Sequence, residues 1–170
     1  MNPVLVSATD WSQSFWTNVF VPVAAAGVAA AVVVAGYLYE RRNKRRDDLR
    51  ALFSDAIEAI AEYQELPYLV RRRSDSSPMT PAELSARISS VQTRLDFFAA
   101  RLSLEREEVG SSFRNLLGVV RSESGSQISE AWRSERLTED SSMPLGASYP
   151  RVKGELAKKE TLEIMQAYLR

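Results

Sequence analysis

No Lys, Arg, Asp or Glu occurs from Trp11 to Tyr39, and after Glu40 comes Arg41-Arg42-Asn43-Lys44-Arg45-Arg46, in which five of six residues are basic. This junction constrains the fold more than any other feature. The densest apolar part, residues 19–39, is an Ala/Val/Gly-rich run. As a helix it is roughly 31 Å long, about the thickness of a bilayer's hydrocarbon core. Trp11, Phe15, Trp16 and Phe20 flank it on one side and Tyr37 and Tyr39 on the other, in the manner of interfacial belts. Pro22 falls in the first turn, where its missing N–H costs least. A transmembrane helix is therefore expected at 19–39.

Three other readings fit less well. A buried core helix rarely has so long a charge-free run in a small domain. A cleaved signal peptide has a basic n-region and a shorter apolar stretch, whereas no Lys or Arg precedes Arg41. A helix lying in the membrane surface needs a polar face, which this segment lacks. The basic cluster also sets an orientation. By the positive-inside rule Arg41, Arg42, Lys44, Arg45 and Arg46 face the cytoplasm, with residues 1–18 as an extracytoplasmic tail. The expected location is the plasma or inner membrane, single-pass, N-terminus outside.

The remainder, residues 41–170, is long enough for one small domain with a core. The charge totals of the chain balance, 22 basic against 22 acidic, but every basic residue lies at or after Arg41. The zero net charge therefore says little about partners. Neither Cys nor His occurs. This removes disulfides, thiol nucleophiles, the Ser-His-Asp arrangement and the ligands that structural zinc favours.

A juxtamembrane helix is expected over 40–66. Leu49, Phe53, Ala56, Ile60 and Tyr63 recur at steps of three and four, and Pro67 disfavours helical geometry at Leu66. Residues 67–79 then read as a loop. The next helix opens at Thr80-Pro81-Ala82-Glu83, a capping box with Pro at the first helical position. Leu84, Ile88, Val91, Leu95, Phe98 and Leu102 form its seam. A third helical region covers 105–120, with Gly110 and Gly118 weakening it. Ser122-Glu123-Ser124-Gly125-Ser126 reads as an interruption before Ile128, Ala131 and Trp132. Residues 137–150 read as a loop. A last helix from Val152 carries Leu156, Leu162, Met165, Tyr168 and Leu169, with Glu155 and Lys159 at i,i+4 spacing. The expected fold class is thus all-α: one N-terminal transmembrane helix followed by a small cytoplasmic bundle of three or four helices. Residues 80–170 pack with the juxtamembrane helix.

Four features invite a functional reading. The 41–46 cluster serves topology and attracts anionic lipid headgroups, at about 1 kcal/mol per basic residue. Without interleaved aromatics it is a poor nucleic-acid site. Arg71, Arg72 and Arg73 follow the apolar triplet Tyr68-Leu69-Val70 and suit a phosphate, a headgroup or an acidic partner. The plainer reading is a solvated charge run. Gly27, Ala31 and Ala35 form a small-residue stripe of the kind that lets two membrane helices pack, although an Ala-rich segment produces such stripes by composition alone. Glu58 with Glu62, and Glu105 with Glu107 and Glu108, are best read as solvated faces, since di-iron bundles add His ligands. No catalytic residue, cofactor or metal is expected. The protein partner is open, as is homo-oligomerisation. The expected function is non-enzymatic, a membrane-anchored interaction or scaffold module. The alternatives are a membrane-bound enzyme or ligand sensor using carboxylates and Arg71–Arg73, or a small phage or stress protein acting on the bilayer.

Overall fold

The computed structural model describes residues 21–73, 81–136 and 149–170, with side chains from residue 30 onward. Among the described residues there are four α-helices and no strand: α1, Val21–Arg71; α2, Pro81–Glu105; α3, Glu107–Arg133; and α4, Val152–Leu169. The all-α expectation holds in that form. The chain divides into two units, Met1–Asp48 and Leu49–Arg170.

In the first unit every residue from Ala30 to Asp48 is exposed. Among the described residues no helix is long and apolar enough to cross a membrane. The expected span at 19–39 is covered only in part, because the side chains of 19–29 lie outside the described residues.

The second unit has one core to which all four helices contribute. From α1 come Leu52, Phe53, Ala56, Ile60, Tyr63, Leu66 and Val70, and from α2 Val91, Leu95, Phe98 and Leu102. Val109, Phe113, Leu116, Val120 and Ile128 come from α3, and Ala157 and Met165 from α4. Helix α3 packs against both α2 and α4. On the outer side Glu62 of α1 pairs with Arg87 and Arg94 of α2. The Phe53 and Tyr168 rings meet at 6.3 Å between α1 and α4. The predicted seam of α2 is buried at Leu84, Val91, Leu95, Phe98 and Leu102, and half-buried at Ile88. Its predicted cap, Thr80, lies outside the described residues.

Three expectations need correction. The juxtamembrane helix does not end at residue 66 but runs through Pro67 to Arg71. Proline removes one ladder bond. Here the ring is itself fully buried, with Leu66 and Val70 beside it in the core, so tertiary packing offsets the local cost. The interruption at 122–126 does not occur, and α3 is continuous to Arg133. Ser124, Gln127, Ile128 and Ala131 are all buried on its inner face, which rewards continuing the helix through Gly125. In α4, Leu156 points outward and Lys158, not Lys159, pairs with Glu155.

Only Arg106, with extended backbone (φ −159°, ψ 125°), separates α2 from α3. So tight a corner brings the first turn of α3 onto the last turn of α2. A Cβ on Gly110 would sit 2.5 Å from the Ser103 Cα, so only glycine fits there.

Candidate functional site

The end of α1 gathers the polar chemistry of the second unit. After the last turn, the backbone N–H groups of Arg72 and Arg73 still donate to the Tyr68 and Val70 carbonyls, at 2.9 and 3.3 Å. This aims the Arg73 side chain inward. Arg73 is 8% exposed, and its guanidinium donates to four carbonyl oxygens: Val70 (2.9 Å), Ala131 (2.6 Å), Trp132 (2.9 Å) and Ser134 (2.6 Å). Three of these belong to the end of α3, where helix carbonyls lack intrahelical partners and the dipole favours a cation. The same guanidinium lies 5.0 Å from the Trp132 ring centroid. Burial, then the neighbouring Arg136 and Arg71, lower its pKa from the ordinary arginine value. Arg73 is therefore a structural clamp between α1 and α3, neither a solvated charge nor an available anion contact. That corrects the grouping of 71–73 as one set.

Arg71 is half-buried and Arg72 is exposed. The Arg72 guanidinium carbon lies 5.7 Å from the Tyr68 ring centroid, and that of Arg151 lies 5.1 Å from the same ring. Arg151, just before α4, donates through Nη2 to the Gln64 carbonyl and to Glu65 Oε1, each at 2.9 Å. Tyr149 closes the group. Its backbone N–H donates to the Tyr68 hydroxyl at 2.9 Å, and the two rings meet edge-on at 4.9 Å. Burial raises the Tyr149 phenol above its ordinary pKa, with Arg71 acting against it and Glu130 with it. Two guanidiniums thus lean on one tyrosine, and a third lies within electrostatic reach of the other.

The start of α4 is held from α3. Glu123 accepts the N–H groups of Lys153 and Gly154 at 3.1 and 2.9 Å, supplying from another helix the cap that α4 lacks locally. This explains why Glu123 sits inside a segment that resembles a break.

The other sequence candidates are dispersed. Arg41, Arg42, Lys44, Arg45 and Arg46 are all exposed on α1. Ala31 and Ala35 are exposed as well, and the Gly27 part of that stripe lies outside the residues with described side chains. Glu62 is engaged by Arg87 and Arg94, Glu107 by Arg114 at 2.5 Å, and Glu108 by Arg106 at 3.7 Å. No group of three acidic, His or Cys side chains suited to a metal occurs among the described residues.

Two apolar features of the described surface stand out. An open groove of about 260 Å³ runs between α1 and α4, lined by Phe53, Ile57, Leu162, Met165 and Leu169 with Arg50 at its edge. On α2, Phe97 and Leu104 are exposed one heptad apart, Leu104 to 88%. Sequence reasoning missed Arg151, Tyr149 and Glu123, and it took Tyr68 only as part of the apolar triplet before the arginines. No local pattern marks Arg151, Tyr149 or Glu123, because their partners lie tens of residues away. Comparison with protein-family models, with curated proteins and with solved structures finds no match for this chain.

Proposed function

We propose that this chain is a single-pass membrane protein whose helical domain, residues 49–170, acts as an interaction module on the cytoplasmic side. One observation carries the membrane part. Helix α1 presents Val32, Val33, Val34, Tyr37, Leu38 and Tyr39 outward with no polar side among them, immediately before Arg41–Arg46. A helix that is apolar all round is unfavourable in water and suits a protein interior or lipid. The charge-free run reaches back to Trp11, and the basic residues follow at the position expected of a cytoplasmic flank. The interaction part draws on Phe97 and Leu104, a pair of exposed apolar side chains on one face of α2.

Membrane fractionation of the full chain tests the anchor. The protein should stay in the pellet after alkaline carbonate washing, and deletion of residues 19–39 should release it. Recovery of the intact chain in the soluble fraction would refute the anchor. An export-dependent reporter fused after Arg170 should remain silent, and activity there would reverse the orientation. A photo-crosslinking side chain at position 104 should form a discrete adduct in membranes, and its absence would count against the interaction module.

A further inference from the structure

We propose that Arg71, Arg72 and Arg151, gathered around Tyr68 and Tyr149, form a binding site for a phosphate group. The proposal concerns the second unit and does not rest on the membrane reading. Its starting point is a gathering of guanidiniums. Arg71, Arg72 and Arg73 are consecutive, and Arg151 arrives from the start of α4 to share the Tyr68 ring with Arg72. Among the described residues the carboxylates facing this group are Glu65, held by Arg151, and Glu130, felt by Tyr149. Among the described residues neither Arg71 nor Arg72 makes an ion pair. Like charges brought together repel, and a bound anion offsets that cost.

The guanidiniums are also positioned. Arg72 rests against the face of Tyr68, and Arg151 does the same while its Nη2 is fixed by two hydrogen bonds. Stacking fixes the group while leaving N–H edges available, and much of the side-chain entropy is lost before any ligand arrives. Among the described residues both bonds of Arg151 leave from Nη2, which leaves Nε and Nη1 with donors to offer. A planar fork with two parallel N–H groups matches the oxygens of a phosphate. A phosphate monoester carries about −1.5 to −2 charges and three strong acceptors, which answers several guanidiniums better than one carboxylate does. Arg73 is not part of the site, because it is buried and the four donors of Nη1 and Nη2 are committed to carbonyls. A free phosphate compound and a lipid phosphate headgroup share this chemistry.

Titration calorimetry on the full chain in neutral detergent tests the site with two probes, inorganic pyrophosphate and dihexanoyl phosphatidic acid. At least one should bind, with affinity falling as salt rises. Arg72→Gln, and more strongly Arg71→Gln with Arg72→Gln, should weaken binding at least tenfold. Both variants should keep the parental circular dichroism, because neither side chain is buried like Arg73. Arg87→Gln, which removes a basic residue of α2, should leave affinity unchanged. Tighter binding of pyrophosphate assigns a soluble ligand, and tighter binding of the phosphatidic acid assigns a headgroup. The proposal fails if neither probe binds, if the Arg71/Arg72 variants bind as the parent does, or if Arg87→Gln weakens binding equally. A chain that washes out of membranes yet binds pyrophosphate through Arg72 would overturn the anchor and leave this site standing.

Discussion

Helix α1 is one uninterrupted element, yet its two halves are different materials. From Ala30 to Asp48 every residue is exposed, and the apolar side chains sit at nearly every position up to Tyr39. From Leu49 to Val70 the apolar residues fall on one side, and Leu49, Phe53, Ala56, Ile60, Tyr63, Leu66 and Val70 are buried. Helical geometry is common to both, so backbone structure alone does not set their roles. The spacing of the apolar residues does. A stripe asks for other helices to cover it, whereas an apolar surface on all sides asks for an apolar surrounding. The basic residues follow the same division. Those at 41–46 are exposed, while Arg73 is enclosed by carbonyls.

The sharpest way to break this comparison is to truncate one apolar side chain in each half. Ile60→Ala, at a fully buried position, should destabilise the chain by about 2–5 kcal/mol, and Leu95→Ala in facing α2 by a similar amount. Val33→Ala should shift the same transition by no more than about 0.5 kcal/mol. Urea unfolding of the full chain in mild detergent, followed by circular dichroism, measures all three. Equal midpoints for Ile60→Ala and the parent would mean that the second half is not core. The arginines give the next largest contrast. Arg73→Ala removes four hydrogen bonds from a charged donor and leaves α3 carbonyls unpaired, at a cost of roughly 2–3 kcal/mol. Arg45→Ala should be silent in the same assay, as expected of an exposed side chain.

These contrasts also mark what was legible in the sequence. The inner face of α2 could be read directly, because Leu84, Val91, Leu95, Phe98 and Leu102 obey a local period. So could the apolar face of α1 from Leu49 to Tyr63. The end of α1 could not. Pro67 is a reliable local stop signal, and it was overridden by burial of Leu66, Pro67 and Val70 against helices remote in the chain. Ser122–Ser126 misled for the same reason, since the carboxylate that justifies the segment, Glu123, serves the N-terminus of α4. In the candidate site, Arg71–Arg73 stood out as a run. Nothing in the run separates Arg73, bonded to residues about 60 positions away, from Arg72 on the surface. Arg151 and Tyr149 enter the site only through tertiary contacts.

Glycines sharpen the comparison further, because they test whether space is available. Gly110→Ala meets Ser103 backbone atoms at 2.5 and 2.6 Å, so the corner between α2 and α3 must open. Overpacking of this kind costs typically about 1–3 kcal/mol, more than the gain in helix propensity. At Gly118 and Gly125 a Cβ meets nothing within 4 Å, and alanine there should raise stability by about 0.5–1 kcal/mol. Gly36, in the first half of α1, is equally open, and Gly36→Ala should leave the urea midpoint of the domain unchanged. The same urea series resolves the signs. A destabilised Gly118→Ala would show that this face of α3 is covered in solution by something outside the second unit.

The smallest expected effect concerns Tyr149 and pH. Burial raises its phenol above the ordinary value near 10, with Glu130 and Tyr68 adding to the shift and Arg71 opposing it. A group whose pKa is higher in the folded state holds its proton longer there than in the unfolded chain. Its contribution is therefore fully present below the unfolded value and is lost as pH rises from that value through the folded one. Stability of the parent should fall on the alkaline side of about pH 10, in part through this phenol. Tyr149→Phe retains the ring against Tyr68 and the backbone N–H bond to the Tyr68 hydroxyl, and it removes the titration. Near neutral pH the variant should lie within about 1 kcal/mol of the parent. Its alkaline decline should be shallower, and the difference between the two curves should begin near the unfolded tyrosine value. Lys and Arg titrations are common to both proteins and cancel in that difference. Parallel curves up to the alkaline limit would show that the phenol is as solvated in the folded chain as in the unfolded one. That result would remove Tyr149 from the group around Tyr68 and leave Arg151 and Arg72 to define it.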